Sequence, residues 1–421
     1  MNELIVAAIA AALDAANPSQ AIHRHLQLDG DTLIIEHRSY DLIDRDVRCI
    51  AVGKGSVPMA QAVADLLGDK ISTALVVTKY DHLGSVEFPI GWETIEAGHP
   101  HPDHHSLHAG DRVWQLLDNC TENTLIIACI SGGASALVTA PQPWSSLQQL
   151  LLDSPQSAMI KAALVSQGLD SSQPIEKSIS LAALQVINTA LLRSGLDIEQ
   201  INTVRSKLDR LKAGGLVSRA LPGQVIGLIL SDVIGDPIGA ISSGLTNHPR
   251  AHNTLIGNNY QSCLAVARTA ENLGYAVEIV TTKLAGEAQV RGREIAREIM
   301  TRSPKTVLIY GGETTVTLLP DCQGKGGRNQ ELALAAAIEL SQQTTPAWIV
   351  TLATDGTDGP TDAAGATVNE QTISRSILLG LDAQLALDRH DSYPFFQKLG
   401  DLRLIGATGT NVADITISIR P

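Results

Sequence analysis

The sequence predicts an α/β protein whose strands are covered by helices on both faces. Runs of β-branched and apolar residues recur along the chain, and stretches rich in Ala and Leu with helical spacing lie between several of them. Most of these runs are continuous rather than alternating, which is typical of strands buried on both faces. Aromatic residues make up only 3% of the chain, so Ala, Leu, Ile and Val must build a core of helices packed on strands.

The predicted elements alternate along the chain. The predicted strands lie at 48–52, 73–78, 124–130, 225–230, 277–282, 306–310 and 348–353. The predicted helices lie at 58–67, 109–117, 181–192, 260–273, 288–300 and 329–340. Glycine and polar residues follow several of the strands, and in open α/β sheets ligands bind just outside the carboxyl ends of the strands. We therefore expect a ligand site at those ends.

The length of 421 residues indicates more than one domain. At roughly 150 residues per domain, two or three domains are expected. The segment Leu221-Pro222-Gly223 interrupts a helical stretch and is the predicted boundary, which gives an N-terminal domain at 1–220 and a C-terminal domain at 221–421.

Charge, hydropathy and cysteine usage exclude several classes of protein. The formal net charge of −13 argues against nucleic-acid binding, which needs a basic surface. The sequence contains no run of about 18 apolar residues, so it predicts no membrane span. Residues 1–16 are predicted to form an amphipathic helix rather than a signal peptide. The five cysteines are an odd number without a C-x-x-C pair, which favours a reducing compartment. We predict a cytoplasmic protein that binds neither nucleic acid nor membrane.

The common nucleotide-binding signatures are missing. Arg48 stands where a Walker A loop ending at Gly53-Lys54 would need glycine, and no G-x-G-x-x-G follows a strand. Lys54 follows a predicted strand directly and stands just before a helix. A lysine placed there, beside free backbone N–H groups, would bind a phosphate oxygen or a carboxylate. The alternative is an ordinary surface lysine.

Two glycine-rich segments are candidate anion sites. Ser131-Gly132-Gly133-Ala134-Ser135 ends a buried strand with two glycines and two hydroxyls, which suits either a backbone anion nest or a plain tight turn. Gly324-Lys325-Gly326-Gly327-Arg328 precedes a helix and places Arg328 in its first turn. A cation is disfavoured there by the helix dipole unless an anion is present, so this segment indicates an anionic ligand.

Carboxylates at strand ends are candidates for binding Mg²⁺ or for accepting a hydroxyl proton. They are Asp232, Asp236, Glu313, Asp355 and Asp358. Helix capping or turn chemistry is the alternative for each one taken alone. The histidines at 99, 101, 104, 105 and 108 include an i,i+4 pair, but prolines and the lack of an H-E-x-x-H motif favour a polar loop over a zinc site.

These segments together resemble the type-2 glycerate kinases, whose C-terminal part carries the MOFRL domain. The resemblance extends nearly from end to end. It depends on the blocks 52–55, 96–103, 131–137, 202–205, 231–236, 311–316, 324–331, 354–362 and 408–414.

The resemblance implies ATP- and Mg²⁺-dependent phosphorylation of D-glycerate at its 2-hydroxyl. It implies an N-terminal Rossmann-like three-layer α/β/α domain with a mainly parallel sheet, a smaller C-terminal α/β domain with a MOFRL-like region at about 305–415, and an active site in the cleft between them. The essential lysine and arginine of the family fall on Lys54 and Arg328. A homodimer is compatible with the sequence.

Further residues are predicted to bind substrate or phosphate. They are Gly53, Ser131, Gly132, Gly133, Ser135, Lys212, Lys325, Asn329 and Asn411. The ligands of the expected Mg²⁺ are not assigned individually.

The chain departs from the family pattern in two loops. Arg205-Ser206-Lys207-Leu208-Asp209 and Lys212-Ala213-Gly214-Gly215 replace R-K-H-L-S and K-G-G, and Ser243-Gly244-Leu245-Thr246 replaces S-G-P-T. Lys207, Ala213 and Leu245 indicate altered substrate preference or reduced activity. Two other functions stay open: an NAD(P)H-dependent hydroxypyruvate reductase, which the missing dinucleotide fingerprint disfavours, and a non-catalytic metabolite-binding protein.

Overall fold

A computed structural model describes residues 1–169, 177–196, 198–318 and 322–421. These residues form two compact units. The N-terminal unit contains residues 18–256, and the C-terminal unit contains residues 1–17 together with 257–421. The first helix of the chain therefore belongs to the C-terminal unit.

Strands and helices alternate over much of the chain as the sequence predicts, but among the described residues strands follow one another at 26–52 and helices follow one another at 134–220. The strands are β1 (Leu26–Asp29), β2 (Thr32–Ile35), β3 (Arg38–Asp41), β4 (Asp46–Val52), β5 (Ile71–Lys79), β6 (Trp92–Ala97), β7 (Thr124–Ile130), β8 (Gln224–Leu230), β9 (Ala251–Gly257), β10 (Ala276–Leu284), β11 (Thr306–Gly312), β12 (Trp348–Ala353), β13 (Gly365–Asn369), β14 (Leu402–Arg403) and β15 (Asp414–Arg420). The helices are α1 (Asn2–Ala16), α2 (Pro18–His25), α3 (Ser56–Leu67), α4 (His104–Leu116), α5 (Ala134–Leu137), α6 (Trp144–Asp153), α7 (Ser157–Ser166), α8 (Leu181–Leu192), α9 (Ile198–Ser206), α10 (Gly215–Ala220), α11 (Asn259–Asn272), α12 (Ala288–Met300), α13 (Arg328–Leu340), α14 (Thr372–Leu378), α15 (Ala383–Asp388) and α16 (Ser392–Leu399).

The N-terminal unit is built on a sheet with the strand order β6-β5-β4-β7-β8-β9. The pairs β6/β5, β5/β4, β4/β7 and β7/β8 are parallel. Val52 at the end of β4 lies opposite Val77 of β5 and Ile130 of β7. The loops that follow these strands therefore emerge side by side at one edge of the sheet.

Helices cover both faces of this sheet, which gives the expected three layers. Helix α3 packs on β4, β5 and β7. On the other face, Ile50, Val52 and Leu75 share a core with residues of α4, α5 and α10. A separate core of helices α6 to α9 lies beside them around Trp144, and a small antiparallel sheet of β1, β2 and β3 completes the unit. The central strands β7 and β8 are continuous apolar runs because both of their faces are covered, whereas the edge strands β6 and β9 are only partly buried.

The C-terminal unit is built on a mixed sheet with the order β10-β11-β15-β12-β13-β14. Strands β10 and β11 are parallel, whereas β15 is antiparallel to both of its neighbours, β11 and β12. Helices α12, α13, α15 and α16 pack on one face, and α1 and α11 pack on the other. The sequence did not predict β13, β14 or β15. In β15, Ile415, Ile417 and Ile419 alternate with polar residues, a pattern typical of a half-exposed strand, yet the strand is buried in the sheet.

Side chains at the helix starts explain where several helices begin. Asp103 caps α4 by accepting a hydrogen bond from the Ser106 backbone N–H at 2.9 Å, and the Ser106 hydroxyl accepts one from the Asp103 backbone N–H at 3.0 Å. Ser180 and Asn258 cap α8 and α11 in the same way. Each cap satisfies an N–H group that the first turn of a helix leaves unpaired.

The units do not divide at the predicted residues 220 and 221. Residues 221–223 connect α10 to β8, and β8 pairs directly with β7 of the N-terminal sheet. The division lies after Ile256, one residue before the end of β9. A Pro-Gly turn marks a change of direction, and it marks a domain boundary only when few contacts cross it.

No single helix among the described residues is long and apolar enough to cross a membrane, although Glu3–Ala16 and Pro18–His25 meet the length and composition limits when taken together.

Candidate active site

In the N-terminal unit, Lys54 lies on a turn that two neighbouring loops build together. The turn follows β4, and its first residue, Gly53, has a φ of +129°. A Cβ atom on Gly53 would overlap Ser131, so only glycine fits. The Lys54 backbone N–H donates to the Gly132 carbonyl at 2.9 Å, and the Gly55 N–H donates to the Ser131 hydroxyl at 2.9 Å. The buried Ser131 hydroxyl therefore holds the lysine loop in place.

Gly133 separates Lys54 from His99. Its φ is +88°, and a Cβ atom there would lie 3.1 Å from His99 Cδ2 and 3.4 Å from Lys54 Cγ. Burial lowers the pKa of His99 to about 4, and the charge of Lys54 lowers it in the same direction. The imidazole is therefore neutral at pH 7, so it adds a hydrogen-bonding group to this turn without repelling the lysine.

Asp232 lies against the same turn. It follows β8, and a Cβ atom on Gly132 would overlap its Oδ2 atom. The carboxylate thus approaches the Gly132 backbone as closely as glycine alone permits. The fold brings Lys54, His99, Gly132, Gly133 and Asp232 together at the carboxyl ends of β4, β6, β7 and β8.

Ser135 lies on the short helix that follows this turn. Its hydroxyl shares a hydrogen bond with the Ser243 hydroxyl at 2.7 Å, while the Ser242 hydroxyl donates to the Ser131 carbonyl at 2.9 Å. Asp236 lies in the loop after β8, with a φ of +55°. These contacts order the loops that surround Lys54.

Lys212, which is predicted to bind substrate or phosphate, forms an ion pair with Asp209 in the structure. It is buried, and its ammonium donates to Asp209 Oδ2 at 3.0 Å. Burial lowers the pKa of Lys212, and Asp209 raises it. Its predicted role in binding substrate remains a prediction.

In the C-terminal unit, Arg328 is the centre of a cluster of carboxylates. Its Nε and Nη2 atoms donate to Asp414 Oδ2 and Oδ1 at 2.5 and 2.9 Å, and Nη1 lies 3.0 Å from Glu313 Oε1. Burial raises the pKa of Asp414 to about 7, although Arg328 lowers it. The hydrogen bonds of Asp414 raise the pKa of Arg328 against the effect of its own burial, so the guanidinium stays charged. These carboxylates provide the anions that the dipole argument required at the start of α13.

Asp358 caps α13 from another part of the chain. It is fully buried, and its carboxylate accepts hydrogen bonds from the backbone N–H groups of Asn329 and Gln330 at 3.0 and 2.9 Å. Asn329 is buried as well, and its carbonyl accepts a hydrogen bond from Thr351. These contacts give Asp358 and Asn329 a structural role; their predicted ligand roles remain predictions.

Three other predicted residues lie in loops of the C-terminal unit. The exposed Lys325 places its ammonium 4.3 Å from the ring centre of Tyr393. Asp355 accepts a hydrogen bond from the Thr357 backbone N–H at 3.1 Å, and Asn411 accepts one from the Ala413 N–H at 3.1 Å. Asp355 and Asn411 thus form local turns with partly accessible side chains.

Comparison with known proteins decides the family. A model described as the MOFRL family matches residues 306–414, and a domain of unknown function, DUF4147, matches 4–170 and 151–270. A glycerate 2-kinase of Pyrococcus horikoshii is 33% identical over 100% of this chain and 97% of its own length. The chain belongs to the glycerate 2-kinase family. It is therefore a kinase.

Structural likeness agrees with this glycerate 2-kinase assignment. A crystal structure of a glycerate kinase from Thermotoga maritima has a TM-score of 0.82 and 32% identity, covering 100% of this chain and 99% of that chain. A protein of Agrobacterium vitis that carries the provisional name hydroxypyruvate reductase is 32% identical over 87% of this chain and 98% of its own length.

The departures from the glycerate 2-kinase pattern have distinct structural consequences. Lys207 is exposed. Ala213 has a φ of +50°, which strains a residue that carries a Cβ. Leu245 is 1% exposed and packs in the main core of the N-terminal unit, so its side chain is a core residue.

Sequence reasoning missed two residues that the structure brings into these clusters. Asp414 belongs to the block 408–414, and its position at the start of the alternating apolar run 414–420 is the signal that could have found it. Arg205 was part of the block 202–205, and it lines a cavity beside Ser135 and His99. No cluster of three or more His, Cys, Asp or Glu side chains that could hold a metal ion is present among the described residues.

Proposed function

We propose that this protein transfers the terminal phosphoryl group of ATP to the 2-hydroxyl of D-glycerate and releases ADP and 2-phospho-D-glycerate. The observation that carries the proposal is Lys54, held on a glycine-lined turn beside the Asp232 carboxylate and the neutral His99. The family membership and the name of the Pyrococcus relative support glycerate as the acceptor.

We assign the cations to the handling of negative charge. Lys54, with the turn from Ser131 to Ser135, holds an anionic group of the substrate or of the phosphate. Arg328 and Lys325 neutralise charge that develops on the transferred phosphoryl group, which is the main task of a protein in phosphoryl transfer. Arg328 remains able to do so because its contacts with Asp414 and Glu313 leave N–H groups unused.

The carboxylates at the strand ends are assigned to Mg²⁺ or to the substrate proton. Mg²⁺ needs only one or two carboxylates when phosphate oxygens complete its coordination. Asp232, Glu313 and Asp355 fit this need, because they are partly accessible oxygen donors at strand ends. When bound, the ion would neutralise phosphate charge. One of the three would accept the proton that the substrate hydroxyl loses.

The first experiment is ATP turnover with D-glycerate, with the product identified by enolase, which dehydrates 2-phosphoglycerate but not 3-phosphoglycerate. Lys54→Ala and Arg328→Ala should each lower kcat by about 100-fold or more, the usual cost of removing one charge-stabilising group. Lys161→Ala and Arg268→Ala, exposed residues on α7 and α11, are the matched controls. Wild-type rates in both site variants would refute the assignment. Chelation by EDTA should stop turnover, and added Mg²⁺ should restore it.

A hydroxypyruvate reductase is the second candidate, and it is favoured only by the name of the Agrobacterium relative. It would oxidise NADPH in the presence of hydroxypyruvate and without ATP. A spectrophotometric assay of NADPH therefore separates the two activities in one sample.

We place the protein in the cytoplasm. All five cysteines are free thiols, and Cys49, Cys129 and Cys263 are buried in strands and a helix. Free buried thiols suit a reducing compartment. Fractionation of the native organism's cells would test this assignment.

A further inference from the structure

A cavity of about 420 Å³ opens in the N-terminal unit beside the lysine turn. Its polar lining includes His99, Ser135, Asn188 and Arg205, and Leu192 and Ile201 contribute apolar walls. Gly133 also lines it, and Gly133 is the residue that separates His99 from Lys54. The cavity therefore lies next to Lys54, which in the proposed reaction binds an anionic group of the substrate or of the phosphate.

Arg205 brings a positive charge to this cavity without a matching negative one. Its side chain is half-buried, and among the described residues no carboxylate forms an ion pair with its guanidinium; the nearby Asp209 pairs with Lys212 instead. Burial lowers the pKa of Arg205, and the charge of Asp209 raises it. No Asp or Glu is found among the described residues that line the cavity.

The nearby carboxylate of Asp209 is already committed. It accepts hydrogen bonds from Lys212 Nζ at 3.0 Å, from the Ala140 N–H at 3.1 Å and from the Leu211 N–H at 2.9 Å. Two cations, Arg205 and Lys212, therefore face one carboxylate in a partly buried region. A half-buried charge without a partner is costly, so an anion from solution would be bound favourably there.

We infer that this cavity binds the carboxylate of a small 2-hydroxy acid, with Arg205 as its ionic partner and Ser135 and Asn188 as hydrogen-bonding groups. The inference rests on the proposed function, because it names the subsite for the carboxylate end of the acceptor substrate. The planar guanidinium matches a carboxylate through two parallel hydrogen bonds. A triphosphate would bring several negative charges to a wall with one cation and apolar neighbours, which disfavours ATP as the occupant.

The test compares Arg205→Ala and Arg205→Lys with Lys161→Ala, which removes an exposed positive charge on α7 of the same unit. Loss of a charged hydrogen bond should raise the KM for D-glycerate by about 10- to 100-fold in Arg205→Ala. The KM for ATP should stay within about twofold, since nucleotide does not contact Arg205. Arg205→Lys should lie between wild type and Arg205→Ala because it keeps the charge and loses the planar fork. Lys161→Ala should match wild type.

A neutral substrate analogue separates recognition from general damage to the fold. Glyceramide replaces the carboxylate with an uncharged amide, so wild type should strongly prefer glycerate over it. In Arg205→Ala, the ratio of kcat/KM for glycerate to kcat/KM for glyceramide should fall by about 10-fold or more. A fold defect would lower both values and leave the ratio unchanged, and that result would overturn the inference. A raised KM for ATP with an unchanged KM for glycerate would overturn it as well.

A direct measurement of binding tests the inference without requiring turnover. Titration calorimetry of the full chain with D-glycerate and D-lactate, without nucleotide, should give binding in wild type and in Lys161→Ala that is lost in Arg205→Ala. That result would support the subsite even if no phosphorylated glycerate forms, in which case only the proposed function fails. Equal binding in wild type and Arg205→Ala, or no binding to wild type, would overturn the inference. If Arg205→Ala does not fold, Asn188→Ala and Arg205→Lys provide the same comparison.

Discussion

Arg328 and Asp414 form a bidentate ion pair in which Nε and Nη2 of the guanidinium donate to the two carboxylate oxygens at 2.5 and 2.9 Å. The two residues are 86 positions apart in the chain. Asp414 is 5% exposed, whereas 29% of the Arg328 side chain remains exposed. The buried carboxylate therefore orients the arginine, and the remaining N–H groups of the guanidinium stay accessible.

Asp414→Asn should lower kcat by about 10- to 100-fold, because a displaced arginine no longer meets the developing charge in the same geometry. The KM for D-glycerate should change much less. Steady-state kinetics with the enolase assay measure both. The control is Asp401→Asn, which breaks the comparable Arg375–Asp401 pair at 2.5 Å in the same unit. An unchanged kcat in Asp414→Asn, or an equal loss in Asp401→Asn, would contradict the orienting role.

His99 should make the fold less stable in mild acid. Burial lowers its pKa in the folded state to about 4, whereas an unfolded histidine has a pKa near 6.5. Below about pH 6.5 the unfolded state takes up the proton first, so this contribution to stability is present above pH 6.5 and is lost as the pH falls toward 4. The Tm of wild type should therefore fall more between pH 7 and pH 5 than the Tm of His99→Gln. Thermal scans at both pH values measure the difference. His37→Gln, at an exposed position, is the control, and parallel curves for wild type and His99→Gln would refute the effect.

Ala213→Gly should stabilise the N-terminal unit. The φ of Ala213 is +50°, a conformation that costs a residue with a Cβ about 1 kcal/mol and costs glycine almost nothing. Glycine also adds disorder to the unfolded state, so for a unit of this size the Tm of Ala213→Gly should exceed that of a matched Ala→Gly control by about 2–4 °C. Ala240→Gly is the matched control, because Ala240 has an ordinary φ of −91°. This substitution relieves no strain in the folded state and only increases the disorder of the unfolded chain. The idea fails if both variants lose stability alike.

Gly132→Ala should damage the lysine turn. The added Cβ would overlap the Asp232 carboxylate, so the carboxylate or the Ser131–Gly133 turn must move. A shift of about 1 Å at a reacting group commonly costs about 100-fold in rate, and we expect kcat/KM for glycerate to fall by roughly that amount. Gly239→Ala is the control, since its Cβ would meet only the end of the Asn247 side chain at 3.0 Å. Kinetics near the wild-type values for Gly132→Ala would show that Asp232 is not constrained by this contact.

Much of the fold could be predicted from the sequence because its signals are local. The strands at Thr124–Ile130 and Trp348–Ala353 and the helices at Leu181–Leu192 and Ala288–Met300 have the predicted bounds. Each is a run whose apolar spacing or capping residue lies within the element itself. The predicted α/β class and the mainly parallel N-terminal sheet are confirmed.

The elements that were missed depend on partners that are distant in the chain. Strand β15 has the alternating pattern of a half-exposed strand, and its burial follows from pairing with β11 on one side and β12 on the other. The boundary after residue 220 was wrong for the same reason, because β8 joins the sheet of β7 across a helical insertion.

The candidate site shows the same distinction between local and distant signals. The sequence alone determined that Lys54, the Ser131–Ser135 turn and Arg328 stand at strand ends or at a helix start, because glycine spacing and strand ends are read from neighbouring residues. Only the tertiary structure decided that Asp358 caps α13, that Asp414 holds Arg328 and that Arg205 faces a cavity without a carboxylate. These roles are set by burial and by charges that meet across long stretches of chain, and the free energy of such contacts depends on distance in space and not on spacing in sequence.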